Sequence, residues 1–247
     1  MFKKSSFYPP KLNLTFVRFV HALIPSFCEL ALNGLSVNIS EDDLKKISEL
    51  KDKHLLLLPN HPTEDDPYVF LEISRQLASP MNSVAAREAF DWNGGLRGKA
   101  FQALGCYSLI RGAPDRESFM TTKSLLLEGE RPLVIFIEGE ISNQNDIVIP
   151  FEPGVVQLAF KAQEELQAKS ESIHLLPVAI KYKYQKGIET QIIKSIKRLE
   201  QDTGCKVSDK TSVEELVERI RVIGVKVLAV QERRLGLKPE EGLTLDS

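Results

Sequence analysis

Residues 60–66 carry the side chains best suited to acid–base chemistry. They read Asn-His-Pro-Thr-Glu-Asp-Asp and follow an apolar run, so that His61 stands at the end of a buried-type strand. A neutral imidazole held by a carboxylate can take a proton from an alcohol near neutral pH, because the carboxylate fixes the tautomer and stabilises the imidazolium. We predict that His61 is a general base oriented by Asp66. Five positions separate them, so the pairing needs a turn, which Pro62 and Pro67 favour.

Two other interpretations of this acidic loop remain open. The carboxylates of Glu64, Asp65 and Asp66 are favourable at the N-terminus of a helix on dipole grounds alone. With His61 they are also possible metal ligands, although no second histidine or cysteine stands nearby. The loop therefore indicates an acid–base pair, a helix cap or a metal site.

Two further groups of charged residues stand at the ends of predicted strands. Arg111 closes a strand predicted at 105–110, where a guanidinium either binds an anion or faces solvent. Glu138 and Gly139 end and follow a strand predicted at 132–138, so this carboxylate is either a site residue or an exposed one. Ligands of open α/β sheets bind at such strand ends.

The composition indicates a globular protein that is not a dedicated nucleic-acid binder. Of 247 residues, 43% are hydrophobic and 27% charged, and the formal net charge of −2 leaves no basic excess to neutralise a phosphate backbone. The three cysteines are widely spaced and fit neither a disulfide framework nor a zinc site, which favours a reducing compartment; they are Cys28, Cys106 and Cys205.

The elements that must position these residues alternate along the chain. Apolar runs predict strands at 54–59, 81–86, 105–110, 132–138 and 173–182, and amphipathic patterns predict helices between them. This order predicts an α/β fold with a layered mixed sheet flanked by helices. We predict an N-terminal arm at 1–38, an α/β domain at 39–188 and a C-terminal helical extension at 189–247. A capping box of Ser212 and Glu215 predicts a long helix there, to about Leu235.

The N-terminal arm is apolar with basic flanks. Residues 12–37 are rich in Leu, Phe, Val and Ala, but no uncharged run approaches the ~20 residues that span a bilayer. Pro25 predicts a break into two short helices. The segment is either an interfacial membrane helix pair or an arm packed on the protein's own core. Its basic residues are Lys3, Lys4, Lys11 and Arg18.

In combination, several sequence blocks resemble those of the glycerolipid acyltransferases, the family of glycerol-3-phosphate and 1-acylglycerol-3-phosphate acyltransferases. They occur in family order over roughly residues 54–182. The blocks are N-H-x(4)-D at 60–66, a K-x-E-like block at 87–90, G-x(5)-R at 105–111, an F-P-E-G-T-R-S-like block at 136–142 and a proline-centred strand at 175–179. The fourth block departs from the family pattern, because Ile137 replaces its proline and Glu140-Ile141 replaces its Thr-Arg pair.

The resemblance implies transfer of a fatty acyl group from an acyl thioester to a lipid hydroxyl such as that of 1-acylglycerol-3-phosphate. His61 and Asp66 would be catalytic, and Arg111, Glu138 and Gly139 would bind the acceptor. The partners it implies are acyl carrier protein or coenzyme A as donor, a lipid acceptor and, through residues 12–37, the cytoplasmic face of a membrane. It implies no metal, no cofactor and no covalent enzyme intermediate. A hydrolase using the same His-Asp pair and a non-catalytic membrane-binding homologue remain alternatives.

Overall fold

The computed structural model describes residues 7–32, 34–184 and 187–237. The chain divides into two compact units, Met1–Lys181 and Tyr182–Ser247. The first unit contains every residue that the sequence analysis assigns to the site.

The first unit alternates strands and helices. Its helices are α1 Leu14–Ala31, α2 Glu41–Leu50, α3 Asp66–Gln76, α4 Leu96–Ala103, α5 Arg116–Glu128 and α6 Pro153–Gln167, with short 3₁₀ turns at Arg87–Phe90 and Trp92–Gly95. Its strands are β1 Leu55–Pro59, β2 Asn82–Ala86, β3 Cys106–Leu109, β4 Leu133–Val134 and β5 His174–Val178. The predicted α/β class is confirmed.

The five strands form one sheet in the order β3-β2-β4-β1-β5. All four strand pairings are parallel, so the sheet is not mixed. Because the strands are parallel, the loops that follow them meet at one edge of the sheet. The loop after β1, which carries His61, therefore lies next to the loop after β4, which carries Glu138.

The core lies between the sheet and the pair α5 and α6. Leu56 and Leu58 of β1 point into it and alternate with Leu55 and Leu57, which are buried on the opposite face. The other buried members of this core are Tyr107, Leu126, Leu133, Ile135, Ile137, Leu158, Ala159 and Ala162. Burial on both faces explains why β1 is a continuous apolar run rather than an alternating one.

Strand β4 is shorter than the predicted 132–138, but the chain beyond it stays bound to β1. The backbone N–H of Ile135 donates to Leu57 O at 3.0 Å, and that of Ile137 donates to Pro59 O at 3.1 Å. These bonds hold the chain alongside β1 up to Ile137. Glu138 consequently emerges beside the loop that carries His61.

Helix α1 is continuous through Pro25, so the predicted break into two helices is wrong. An internal proline costs about 3 kcal/mol, but contacts with α3 hold α1 on both sides of it. His21 Nε2 lies 3.0 Å from Ser74 Oγ, and the rings of Phe27 and Tyr68 are 5.2 Å apart. Packing against α3 thus outweighs the missing hydrogen bond.

Helix α1 is also the one described helix that is long and apolar enough to cross a membrane, by length and composition alone. Within the first unit it buries only its inner side, and 17% of the helix is buried. The buried apolar residues of α1 are Val17, Ile24 and Cys28, and its exposed apolar residues are Leu14, Phe19, Leu23, Phe27 and Leu30. Lys3 and Lys4, two of the basic residues in the predicted N-terminal arm, lie outside the described residues.

The second unit is a helical hairpin of α7 Glu189–Thr203 and α8 Val213–Leu235. The predicted capping box is confirmed, since Ser212 and Glu215 cap α8 reciprocally. Within the hairpin a buried guanidinium joins the two helices, with Arg219 Nε 2.7 Å from Glu200 Oε1 and Nη2 2.9 Å from Oε2. The bidentate geometry compensates the desolvation of both charges and fixes the register of the helices.

Candidate active site

His61 and Asp66 contact each other at the start of α3. Asp66 Oδ2 lies 2.7 Å from His61 Nδ1, and the carboxylate is fully buried while the imidazole is 15% exposed. A carboxylate at Nδ1 favours the tautomer with the proton on Nδ1 and leaves Nε2 as the basic nitrogen. Nε2 forms no hydrogen bond within the described part of the chain. The geometry is that of a general base and its orienting acid.

The turn between the two residues holds the carboxylate in place. The backbone N–H of Thr63 donates to Asp66 Oδ2 at 3.0 Å, and Thr63 Oγ1 lies 3.3 Å from Oδ1. Pro67 occupies the first turn of α3, where its missing N–H costs nothing. The turn therefore brings His61 and Asp66 together although they are five positions apart, as the predicted pairing requires.

An aromatic ring and the loop after β4 fix the position of His61. The ring of Phe136 stacks on the imidazole at 4.1 Å between centroids, and Phe70 packs edge-on against Phe136 at 5.7 Å. The backbone N–H of Ser142 donates to His61 O at 2.9 Å. The imidazole is thus held on one ring face and through its own backbone.

Glu138 lies between this histidine and a pocket. Its Oε2 accepts a hydrogen bond from the backbone N–H of His61 at 3.1 Å. Its Oε1 is buried and has no hydrogen-bond partner within the described residues, and the side chain is 3% exposed. A buried oxygen without a donor costs free energy, roughly 1–3 kcal/mol. The described residues therefore leave one acceptor of this carboxylate unused.

The pocket, of about 490 Å³, opens at the same edge of the sheet. It brings together residues from the loop after β3, the loop after β4 and the segment before α6: Arg111, Glu138, Gly139, Glu140, Ile149, Pro150 and Glu152. Three of the predicted site residues, Arg111, Glu138 and Gly139, thus line one cavity. Arg111 is exposed and forms no hydrogen bond or ion pair with another described residue.

Gly139 shapes the pocket wall through its backbone. Its φ is +73°, a conformation that other residues rarely adopt, and a Cβ built on it would lie 2.7 Å from Glu152 Cγ. Glu152 is itself held there, because its N–H donates to Ile137 O at 2.8 Å. The glycine allows the two segments to meet at the pocket.

Two neighbouring positions have structural roles. The side chain of Asn60 bonds the backbone of Ile180 twice, at 2.6 Å to its N and 3.0 Å to its O, and so joins the ends of β1 and β5. Ile137 replaces the proline of the related block and uses its N–H to bond Pro59, which a proline cannot do. This departure therefore adds a hydrogen bond between the two site loops.

The other interpretations of the acidic loop find less support in the geometry. Asp65 occupies the N-cap position of α3, but its side chain makes no capping hydrogen bond. Burial, followed by the nearby carboxylates of Asp66 and Glu64, raises the pKa of Asp65. Within the described residues, no three or more His, Cys, Asp or Glu side chains form a group that could hold a metal ion.

Cys106 belongs to the sheet rather than to the site. It lies in β3 and is buried, and burial raises the pKa of its thiol to about 12. A thiol that stays protonated is a poor nucleophile. Cys106 is therefore a packed residue of the sheet and is poorly suited to act as a nucleophile.

Sequence reasoning missed three contributors to the site. Phe136 contacts His61, Thr63 bonds Asp66, and Glu152 lines the pocket. Thr63 is recoverable from the sequence, since a threonine three residues before an aspartate in a prolyl turn is a common backbone-capping arrangement. Phe136 contacts His61 because β4 lies beside β1, and Glu152 contacts Gly139 because the segment before α6 folds back on the chain after β4; no local pattern reveals either contact.

Comparison with known proteins adds a family assignment. The family model described as Acyltransferase matches residues 38–181, which is more than half of the chain. The match spans β1 to β5 and includes every residue of the site described above. No curated protein matches the chain.

Proposed function

Because the chain belongs to the acyltransferase family, we propose that it transfers a fatty acyl group from an acyl thioester to a hydroxyl of a lipid acceptor. The observation that carries the proposal is the 2.7 Å contact between His61 Nδ1 and the buried Asp66 carboxylate. It leaves Nε2 basic beside a pocket that opens at the same edge of the sheet. A base in this position accelerates acyl transfer to an alcohol, typically by about 10²–10⁴-fold.

The proposed reaction is a single displacement. His61 Nε2 takes the proton of the acceptor hydroxyl, and the oxygen attacks the thioester carbonyl carbon. The tetrahedral intermediate collapses with cleavage of the carbon–sulfur bond, and the thiolate leaves with the proton that His61 returns. Asp66 stabilises the imidazolium between these steps, because its buried carboxylate stays within hydrogen-bond distance of Nδ1.

The proposed acceptor is a glycerolipid precursor, with 1-acylglycerol-3-phosphate as the compound that the family resemblance implies. Glu138, Gly139 and Arg111 line the pocket, and Glu138 also bonds the loop that carries His61. The unpaired guanidinium is available to an anionic oxygen of the acceptor. The proposed donor is the thioester of acyl carrier protein or coenzyme A.

We further propose that the protein works on the cytoplasmic face of a membrane, held by α1. The outward side of α1 is apolar, with Phe19 59% and Leu23 49% exposed. Such a face gains free energy when it enters the acyl boundary of a bilayer. A long-chain acceptor is also easier to reach in the membrane plane than through water.

A second group of exposed apolar residues supports the proposed attachment to a membrane. Trp92 and Leu96 are 58% and 70% exposed, and the Arg97 guanidinium lies 4.3 Å from the centre of the Trp92 ring. Arg97 is also near Tyr68, where it opposes the rise in tyrosine pKa caused by burial. Phe27 packs on the same tyrosine. Arg97 and the end of α1 therefore both lie close to Tyr68.

The proposal is tested by the product. Purified protein is given acyl-thioesters and a panel of lipid acceptors, and the lipids formed are identified by mass spectrometry. We expect an acylated acceptor and a stoichiometric free thiol. Free fatty acid in place of acylated lipid would identify a hydrolase instead, and no product from any donor would favour a non-catalytic homologue.

A further inference from the structure

We propose that the pocket selects an acceptor headgroup that donates hydrogen bonds and carries no phosphate monoester. The inference rests on the proposed acyl transfer, but it departs from the phosphate-monoester acceptor, 1-acylglycerol-3-phosphate, that the family resemblance implies. It is carried by two independent features of the pocket: the excess of carboxylates in its wall and the unpartnered oxygen of Glu138.

The wall of the pocket is acidic. Its charged lining residues, among those that the structure describes, are three glutamates, Glu138, Glu140 and Glu152, and one arginine, Arg111. Arg111 forms no ion pair within the described residues. A phosphate monoester carries close to two negative charges at neutral pH. One cation therefore cannot offset the repulsion between such a group and three carboxylates.

The orphaned oxygen of Glu138 points to the same chemistry. Oε1 is buried in a side chain that is 3% exposed, while Oε2 is already bonded to the His61 backbone. Only a hydrogen-bond donor can satisfy Oε1. A hydroxyl or an ammonium group supplies one, whereas a fully ionised phosphate offers acceptors only.

Glu140 is a pocket residue whose charge differs from that of its counterpart in the family's sequence block. It is exposed at the pocket wall, in the position of a neutral threonine, and Ile141 follows in the position of an arginine. These two changes together remove one positive charge and add one negative charge. The carboxylate of Glu152, held against Gly139, strengthens the same sign of potential.

The test compares three acceptors with the same acyl chain and glycerol: 1-acylglycerol, 1-acylglycerophosphoethanolamine and 1-acylglycerol-3-phosphate. Acyl transfer to each is measured as kcat/KM for wild type, Glu140→Gln and Glu164→Gln. Glu164 is an exposed glutamate of α6 outside the pocket, so its variant is the matched control for loss of one charge. The first two acceptors distinguish a hydroxyl donor from an ammonium donor.

We expect wild type to use the hydroxyl or ammonium headgroup at least tenfold better than the phosphate monoester. Glu140→Gln should improve use of the monoester relative to the others by roughly tenfold, since a like charge is removed at close range, and Glu164→Gln should leave the ratio unchanged. Acylation with the monoester as the preferred acceptor of wild type would overturn the headgroup inference alone, as would an unchanged ratio in Glu140→Gln. Absence of acylated product with every acceptor would overturn the acyl-transfer proposal and this inference with it.

Discussion

The backbone N–H of His61 donates to Glu138 Oε2 at 3.1 Å, although 77 positions separate the two residues. The bond ties the loop that carries the imidazole to the loop that lines the pocket. The other oxygen of the same carboxylate is buried and has no hydrogen-bond partner among the described residues. One side chain thus fixes the proposed base and faces the proposed acceptor.

Glu138→Gln separates these two functions. The amide oxygen can still accept from the His61 backbone, but its NH₂ group now faces the donors of the acceptor. We expect the acceptor KM to rise by about tenfold, because a hydrogen bond to a charged group is worth about 1.5–3 kcal/mol, while the donor KM stays unchanged. Steady-state kinetics with each substrate varied would measure this, with Glu164→Gln as control. An unaltered acceptor KM would remove Glu138 from acceptor binding.

Asp66→Asn and Asp65→Asn distinguish an orienting acid from a diffuse acidic cluster. Asp66 is fully buried and bonds His61, whereas Asp65 is partly exposed and makes no capping bond. We expect Asp66→Asn to lower kcat by roughly 10²–10⁴-fold, through loss of the charge that stabilises the imidazolium. Asp65→Asn should stay within about threefold of wild type, since removing a surface charge away from the reacting groups changes little. Equal losses in the two variants would contradict the assignment.

Arg111→Lys examines the one cation of the pocket. A guanidinium binds phosphate oxygens with two hydrogen bonds, which a lysine cannot reproduce. We expect kcat/KM for phosphate-bearing acceptors to fall by roughly tenfold, the cost of one such contact, with little change for 1-acylglycerol or for the donor. Arg116→Lys, an exposed arginine at the start of α5, is the matched control. Identical kinetics of Arg111→Lys and wild type with every acceptor would exclude the role.

The outward face of α1 can be tested without removing the helix. Deletion would expose the core, because Val17 and Ile24 are buried in the first unit. Phe19→Ser with Leu23→Ser changes only exposed positions. We expect wild type to float with anionic vesicles, more weakly at high salt, and the double variant to float less. Met120→Ser, at an exposed methionine of α5, should float as wild type does. Wild-type protein that stays at the bottom of the gradient at low salt would show α1 to be a core-packed arm only.

The contact between His61 and Asp66 can be predicted because both residues lie in one short loop. The apolar run of β1 locates the strand end, and the prolines indicate the turn that a five-residue spacing needs. These local features of the sequence are sufficient to predict the contact between His61 and Asp66. The α/β class follows in the same way from apolar runs that alternate with amphipathic ones.

The supports of the site depend instead on which strands become neighbours. Phe136 contacts the imidazole because β4 lies beside β1, with β2 and β3 beyond it. Strand order is set by packing of the whole sheet and has no local signature. Pro25 illustrates the same limit, since contacts of α1 with α3 override its tendency to end a helix.

The most direct measurement is transfer of a labelled acyl group by His61→Ala. The variant is compared with wild type and with His174→Ala, a histidine of β5 outside the site. Circular dichroism and the thermal midpoint verify that each variant is folded. We expect His61→Ala to lose transfer by about 10²–10⁴-fold and His174→Ala to keep it. A folded His61→Ala protein with near wild-type turnover would contradict the proposed mechanism.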